Sequence, residues 1–281
     1  MRYQRVTNEA DLLEGLAQPG AVILCGGTDV IVKMRAGLLA PSILLDVTQI
    51  ESLHSIRAIG EVLEIGAASL ESDILRSPLV HQHVPLLAAA LKQLGSVQIR
   101  NRGTLAGNIV NASPAADGAI PLLLYDAEVQ LVGPAQTRWV RLDDFFTGPG
   151  KTVLASNEFI RTLRMPLGAD GFQPFFHKVG KRNALTIAIA SLGLLLRVQE
   201  GTIKDVRIAV GSVAPTPRRL PKIESQLTGR VLDDALVLEA RDYIVGAIAP
   251  ISDVRASADY RRNVIGDLFA RALQSHVAKP R

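Results

Sequence analysis

Ala21-Val22-Ile23-Leu24-Cys25-Gly26-Gly27-Thr28-Asp29 is the stretch that decides how this 281-residue chain folds. Its apolar start predicts a short buried strand, and the glycine pair predicts that the strand ends in a tight turn. The apolar residues that follow, Val30-Ile31-Val32, indicate a helix with Asp29 at its N-cap or in its first turn. Because glycine has no Cβ, the backbone amides of such a turn can approach an anion closely, which makes the turn a candidate phosphate cradle.

A second glycine turn with similar chemistry, Gly103-Thr104-Leu105-Ala106-Gly107-Asn108, lies far along the chain. Thr104 and Asn108 flank Gly107 and add a hydroxyl and an amide. Each turn by itself is more often only a place where the backbone needs a positive φ. Neither a Rossmann fingerprint nor a P-loop motif is present, so a nucleotide bound here requires another fold.

The residues around both turns resemble the FAD-binding subunits or domains of the molybdenum hydroxylases, the relatives of xanthine dehydrogenase and carbon monoxide dehydrogenase. The resemblance covers nearly the whole chain in order, through residues 23–30, 102–117, 176–182 and 253–262. There is one departure. The second turn of this family commonly carries two adjacent glycines, and the first of them is Ala106 here.

The resemblance implies an α+β fold. Residues 1–170 are expected to form a two-part FAD-binding domain of the vanillyl-alcohol-oxidase/MurB-like type, with subdomains of about 1–50 and 51–170. Residues 171–281 are expected to form a smaller α+β domain with a three-stranded antiparallel sheet plus helices. Gly168-Ala169-Asp170-Gly171 has the composition of a linker between the two.

Site residues follow from the same resemblance, position by position. The implied FAD contacts are Ile23, Leu24, Cys25, Gly26, Gly27, Thr28, Asp29, Val30, Leu94, Thr104, Gly107, Asn108, Asp117, Ile160 and Lys178. No catalytic residue and no metal ligand is implied, and His81-Gln82-His83 is the nearest approach to a metal pair.

Several of these residues have a plainer interpretation. Ser113-Pro114 predicts a helix start, which would make Asp117 a first-turn charge. Leu94 and Ile160 fit core positions, and Cys25 fits a small packing residue better than a redox group. Lys178 is either a cation beside the isoalloxazine, which would raise the flavin potential, or a lysine on a surface hairpin.

Composition excludes several classes of protein. A single cysteine rules out an intramolecular disulfide and an iron–sulphur cluster held by this chain, since such clusters ordinarily need about four thiolates. The basic residues are scattered and only 4% of residues are aromatic, which argues against nucleic-acid binding. With no apolar run long enough to span a membrane and no export-like start, we expect a cytoplasmic protein.

The resemblance implies a flavin electron relay. FAD would lie on this chain, while molybdenum cofactor and 2Fe–2S clusters would lie on a large molybdopterin-binding subunit and a small iron–sulphur subunit, in a dimer of heterotrimers. Electrons would leave to an external acceptor. Two alternatives stay open: a stand-alone flavin oxidoreductase of the same superfamily, which residues 253–262 argue against, and an assembly subunit that has lost FAD, which only Ala106 supports.

Overall fold

The computed structural model describes residues 1–168, 171–182 and 186–277 of the chain. Its strands are β1 (Arg2–Arg5), β2 (Ala21–Leu24), β3 (Ile43–Asp46), β4 (Ile56–Ile59), β5 (Val62–Gly66), β6 (Glu128–Val132), β7 (Thr137–Arg141), β8 (Phe146–Gly148), β9 (Lys151–Thr152), β10 (Phe159–Pro166), β11 (Gln173–Val179), β12 (Ala190–Gln199), β13 (Thr202–Gly211) and β14 (Arg218–Arg219). Its α-helices are α1 (Glu9–Leu16), α2 (Val30–Arg35), α3 (Glu71–Arg76), α4 (Pro78–His83), α5 (Pro85–Gln93), α6 (Val97–Arg100), α7 (Leu105–Val110), α8 (Ala119–Leu124), α9 (Leu142–Phe145), α10 (Pro221–Leu227), α11 (Asp234–Ala247) and α12 (Ala258–Gln274), and a 3-10 turn covers Glu51–Leu53.

These elements form two compact units that the chain enters more than once. The first unit contains Met1–His83, Gly95–Ala112 and Asp126–Gly168, and the second contains Val84–Leu94, Ser113–Tyr125 and the described residues after 170. Helices α5 and α8 therefore pack with the late strands β11 to β13 although they precede them in sequence. The predicted boundary near residue 170 stays a prediction, and two residues of the predicted linker, 169 and 170, lie outside the described residues.

The first unit begins with a three-stranded parallel sheet in the order β1-β3-β2. Helix α1 starts where the side chain of Asn8 accepts a hydrogen bond from the Asp11 amide at 2.9 Å, and it buries Leu12 and Leu16 against the core of this sheet. Because β2 ends at Leu24, the first glycine turn lies at the carboxyl end of this parallel sheet.

The second sheet of this unit is antiparallel, in the order β4-β5-β10-β6-β7. One row of side chains crosses all five strands with alternating charge: Arg57, Glu64, Arg164, Glu128 and Arg141 are successive partners in the register. Residues next to these in each strand, such as Leu63, Leu163 and Val129, are fully buried. Since a slip of one residue would exchange the charged row for the core, this row helps to specify the register.

The second unit is built on an antiparallel sheet in the order β11-β12-β13-β14. Helices α10, α11 and α12 cover it, and their apolar residues form one core with β12 and β13. The α+β class is confirmed. The sheet has one strand more than the three expected, because Arg218–Arg219 pairs with Val210 and Ala209 as a two-residue edge strand.

The described helices include none that combines the length and the apolar character needed to cross a membrane.

Candidate functional site

The first glycine turn has the geometry that its two glycines predict. Gly27 has φ +75°, a conformation that favours glycine. At Gly26 the missing Cβ lets the carbonyl oxygen of Arg102 come close to the turn, because a Cβ at this position would overlap that oxygen. The first turn therefore lies directly against the residues that lead into the second turn, within one unit of the fold.

The second turn is the start of helix α7. Thr104 is its N-cap, and its hydroxyl accepts a hydrogen bond from the Gly107 amide at 3.1 Å. The carbonyl of Gly103 accepts from the Glu71 amide at 2.9 Å, which ties the turn to α3. The Thr104 hydroxyl thus positions the helix, and it also hydrogen-bonds the Cys25 thiol of the first turn.

Cys25 has the environment of a packing residue. Burial raises the pKa of its thiol, with the Thr104 hydrogen bond opposing this in part. A thiol with a raised pKa stays protonated at neutral pH and is a poor nucleophile. This agrees with the packing interpretation of Cys25.

Asn111 connects the helices that leave the two turns. Its amide Nδ2 donates to Asp29 Oδ1 at 3.2 Å, and its Oδ1 accepts from Lys33 Nζ at 2.6 Å. Asp29 occupies the N-cap position of α2 as predicted, although its side chain caps no helix amide and contacts Asn111 instead. The sequence did not single out Asn111 or Lys33, because a contact between residues this far apart leaves no local pattern.

Asn108 is the clearest sign of a ligand in this unit. Its Oδ1 is buried and has no hydrogen-bond partner, whereas most buried polar atoms in folded proteins have one. The neighbouring Gly107 is exposed and Ala106 is buried, at 6% of its full exposure. The Ala106 methyl therefore packs inside the protein, while the surface of α7 next to it is open at Gly107.

Ile160 lies on β10, against which α7 packs. It is buried, at 5% exposure, and stands beside a β-bulge between Ile160 and Thr162. Its surroundings fit the core interpretation and also bring it near the second turn.

A buried ion pair between Asp117 and Lys178 is the main feature of the second unit. Lys178 Nζ lies 2.5 Å from Asp117 Oδ2, and the two side chains are only 5% and 6% exposed. Lys178 also donates to the carbonyl of Gln93 at 3.1 Å. The surface-hairpin interpretation of Lys178 is wrong, because β11 carries this side chain inward to a carboxylate.

The Asp117 carboxyl is strongly perturbed. Burial raises its pKa to about 6, and the Lys178 charge opposes this in part. Its second oxygen, Oδ1, is buried without a hydrogen-bond partner. The pair therefore offers an unused acceptor in a place shielded from water.

The helix predicted to start at Ser113-Pro114 does not form, so Asp117 is not a first-turn residue. Residues 113–118 form turns and irregular backbone, with the Ser113 hydroxyl accepting from the Ala115 amide at 3.2 Å, and α8 starts at Ala119. A helix begun at Pro114 would place Pro121 in its interior, where proline lacks the required amide hydrogen. Starting at Ala119 puts Pro121 in the first turn.

A cavity of about 310 Å³ adjoins the ion pair; it is lined by Gln93, His177, Lys178, Val179, Gly180, Arg182 and Thr186. Leu94 caps the end of α5 in the same unit and is 8% exposed. Gln93 could not be found from the sequence, since it contributes only a backbone carbonyl. The predicted site residues thus form two groups: the two turns with Ile160 in the first unit, and Leu94, Asp117 and Lys178 in the second.

In the described part of the chain, no group of three or more histidine, cysteine, aspartate or glutamate side chains has an arrangement that could hold a metal ion.

Two family models together match most of the chain. Residues 1–168 match the FAD-binding domain in molybdopterin dehydrogenase, and residues 175–276 match the C-terminal domain of the carbon monoxide dehydrogenase flavoprotein. The chain belongs to the FAD-binding subunits of the molybdopterin dehydrogenases. This confirms the family resemblance, and with it FAD as the cofactor of the subunit and oxidoreductase as its class.

Individual relatives resemble the FAD-binding subunit over nearly its whole length. It is 34% identical to the carbon monoxide dehydrogenase medium chain of Hydrogenophaga pseudoflava, over 96% of this chain and 94% of that protein. It is 32% identical to the glyceraldehyde dehydrogenase medium chain of Sulfolobus acidocaldarius, over 89% of each.

Solved structures agree with this assignment. A carbon monoxide dehydrogenase from Hydrogenophaga pseudoflava, which lacks the Mo-pyranopterin moiety of its cofactor, aligns with a TM-score of 0.93 and 31% identity over 99% of this chain and 98% of the other. Quinoline 2-oxidoreductase from Pseudomonas putida 86 aligns with a TM-score of 0.93 and 25% identity, over 98% and 96% of the two chains.

Proposed function

We propose that this FAD-binding subunit relays electrons in a molybdenum hydroxylase, from iron–sulphur clusters on a small subunit to an external acceptor. Substrate would be oxidised on a large molybdopterin-binding subunit, and the three chains would assemble as a dimer of heterotrimers in the cytoplasm. The medium-chain relatives, which this chain matches almost from end to end, support the division of labour.

The observation that carries the proposal is the contact between the two glycine turns with an unpaired acceptor beside it. Gly26 lets the first turn rest on Arg102, and Asn108 Oδ1 lies buried without a partner in the second. The pyrophosphate of a dinucleotide is bound where backbone amides can approach it closely. The ribityl and ribose hydroxyls of FAD can donate hydrogen bonds to a buried acceptor such as Asn108 Oδ1. The residues present therefore fit FAD.

Each group of residues has its own task. Residues 23–30 with Thr104, Gly107 and Asn108 would hold the pyrophosphate of the cofactor, with Ile160 as an apolar contact in the same unit. Leu94, Asp117 and Lys178 are further candidate FAD contacts, as the family resemblance implies. Bound FAD supplies the redox chemistry, since it accepts single electrons and releases one or two. The residues of this chain bind FAD, orient it and tune its reduction potential, and they need no general acid or base for this.

The two alternative functions have less support. The alternative of an assembly subunit that has lost FAD was supported only by Ala106. The Ala106 methyl is buried in α7 and leaves the open surface at Gly107 unchanged. A stand-alone oxidoreductase would need a substrate acid or base in its C-terminal half. The Asp253–Arg262 segment, on which the family resemblance also rests, argues against this alternative.

A matched pair of glycine variants tests the cradle. Gly27 and Gly37 both have positive φ, +75° and +69°, so valine strains the backbone at either position. Only Gly27 lies in the first turn, while a Cβ at Gly37 would meet nothing within 4 Å. We expect Gly27→Val to abolish FAD retention and Gly37→Val to keep it, measured by flavin absorbance after reconstitution with FAD.

The outcomes separate the parts of the proposal. FAD at parental occupancy in Gly27→Val would show that the cradle lies elsewhere. No flavin absorbance in the reconstituted parent chain would overturn the relay itself. Purification from cells that express the partner genes, without any iron-bearing or molybdenum-bearing partner, would favour the stand-alone enzyme.

A further inference from the structure

Arg261 is a buried arginine in the segment 253–262, which carries none of the implied FAD contacts. It lies near the start of α12, and its side chain is 3% exposed. Its Nη1 donates to the carbonyls of Ile189 at 3.0 Å and Ser212 at 2.8 Å, and its Nη2 donates to Asp253 Oδ1 at 2.6 Å. Ile189 immediately precedes β12 and Ser212 immediately follows β13, so one nitrogen joins the neighbouring ends of two paired strands.

The bond to Ile189 leads to the strand that carries Lys178. The Ile189 amide donates to the Val179 carbonyl at 2.7 Å, and Lys178 is the residue before Val179 on β11. Lys178 itself pairs with Ser191 in the register of β11 and β12. The position of the Ile189 backbone therefore helps to fix the end of β11 and, with it, the backbone of Lys178.

The bond to Ser212 leads to the segment that carries Asp117. Ser212 has φ +61°, a left-handed conformation that residues with a Cβ rarely adopt unless their surroundings hold them in it. Its amide donates to the Pro114 carbonyl at 2.8 Å, and its hydroxyl donates to the Ala188 carbonyl at 3.0 Å. Since Pro114 and Asp117 belong to the same non-helical segment, residues 113–118, the conformation of Ser212 helps to place the Asp117 backbone.

Arg261 thus acts on both members of the buried pair through the backbone. Each carbonyl that it holds belongs to a residue whose amide is bonded to the segment of Lys178 or of Asp117. Lys178 Nζ and Asp117 Oδ2 lie 2.5 Å apart, so a small shift of either segment changes their contact. The contact through Oδ2 leaves Oδ1 buried and without a hydrogen-bond partner among the described residues.

The surroundings of Arg261 are not those that stability alone favours. Its Nε is buried and has no hydrogen-bond partner in the described part of the chain. A buried guanidinium with an unused donor costs free energy, and a packed apolar residue would serve stability at least as well. Arg219 is the contrast within the same unit, because its Nε bonds both oxygens of Glu224, at 2.8 and 3.1 Å. The two carbonyl contacts of Arg261 therefore indicate a role in holding backbone geometry.

We propose that Arg261 is the positioning residue of the Asp117–Lys178 pair. By holding two carbonyls on one nitrogen, it keeps Lys178 in contact with Asp117 Oδ2 and leaves Oδ1 available to a hydrogen-bond donor of FAD. Asp253 orients the guanidinium, since its Oδ1 accepts from Nη2. The part that concerns FAD rests on the proposed function, whereas the positioning of the pair can be tested without FAD.

A double-mutant cycle in the FAD-free protein measures the contact within the pair. The coupling is the factor by which Asp117→Asn changes the effect of Lys178→Met on the unfolding equilibrium in urea. It is measured at about pH 8, where a carboxyl with a pKa of about 6 is ionised. Arg261→Met should lower this coupling by at least about fivefold, because the two backbone segments are no longer held together. A purely structural arginine would lower the stability of every protein in the cycle alike and leave the coupling unchanged.

Arg219→Met is the matched control, because it breaks a largely buried arginine–glutamate pair in the same unit. It should lower the urea midpoint and leave the coupling at its parental value. Arg261→Lys is the second variant, for the case that Arg261→Met does not fold. Lysine keeps the charge, but one ammonium group cannot reproduce the planar fork that reaches both carbonyls and Asp253, so the coupling should fall by at least about twofold.

Parental coupling in either Arg261 variant, or an equal loss of coupling in Arg219→Met, would overturn the inference. Titration of the same proteins with FAD tests the part that concerns the cofactor. Arg261→Lys should weaken FAD binding in the parent and add little in Lys178→Met, since the pair is already broken there. The same weakening in both backgrounds would overturn the route through the pair. A parent chain that binds no FAD would instead refute the proposed function and leave the result of the cycle standing.

Discussion

Replacing Asp117 with asparagine should remove a distinct pH dependence from the stability of this protein. The folded chain holds the Asp117 pKa at about 6, mainly through burial, against a usual value of 3.8. The folded state therefore binds this proton more tightly than the unfolded state does. Stabilisation by the proton is complete below about pH 3.8 and is lost as the pH rises through about 6.

The magnitude follows from the two values. A pKa difference of one corresponds to about 1.4 kcal/mol, so the change from 3.8 to about 6 corresponds to about 3 kcal/mol. Most of this, about 2 kcal/mol, falls between about pH 4 and about pH 7. The asparagine side chain of the variant binds no proton in this range, so the free energy of unfolding of the parent minus that of Asp117→Asn should fall by this amount across it.

Urea unfolding of the FAD-free proteins at a series of pH values measures this difference. Lys178→Met is the informative companion, because loss of the Lys178 charge removes what opposes the raised pKa of Asp117. The fall in stability should then shift to higher pH. A parent-minus-variant difference that stays constant within about 0.5 kcal/mol would refute the argument, since it would mean that folding does not change the affinity of Asp117 for its proton.

Two further predictions concern the first unit. Arg164→Met should lower the free energy of unfolding, measured in urea, by about 1–2 kcal/mol, because Arg164 forms a salt bridge with Glu128 at 2.7 Å and its guanidinium lies 3.8 Å from the Trp139 ring centroid. Arg57 lies at the sheet edge with one charged neighbour, so Arg57→Met should lower the free energy of unfolding by less. An equal loss in the two variants would contradict the role of the charged row. Asn108→Ala should stabilise the FAD-free protein by about 1 kcal/mol and weaken FAD retention, because it removes a buried acceptor that has no partner. Asn111→Ala, which breaks the hydrogen bonds to Asp29 and Lys33, should instead destabilise the FAD-free protein. A loss of stability in Asn108→Ala would show that Asn108 is satisfied without a ligand.

The local parts of the fold could be predicted from the sequence. The strand, glycine turn and helix at residues 21–35 follow from an apolar run and from a φ that favours glycine. The order of four motifs was enough to identify the family. The same local reasoning failed at Ser113-Pro114, where the cap signal was present but Pro121 further along prevents the helix from starting there.

The candidate site was predictable as a set of residues and much less as an arrangement. Asp117 and Lys178 were both singled out, but nothing in the sequence indicated that they form one buried pair or that the Gln93 carbonyl completes it. Pairing across such a separation depends on which strands and helices pack together. Periodicity and turn signals carry no information about that.

The sequence by itself determined the class of the protein, its cofactor and its two glycine turns, because backbone conformation at glycine and cap residues depends on near neighbours. Tertiary structure alone decided that Gly26 rests on Arg102, that Asn108 keeps an unused buried acceptor, and that Asp117 is held with a raised pKa beside Lys178. The physical reason is that burial and charge pairing are properties of the surroundings. Those surroundings are assembled from segments that the chain brings together only when it folds.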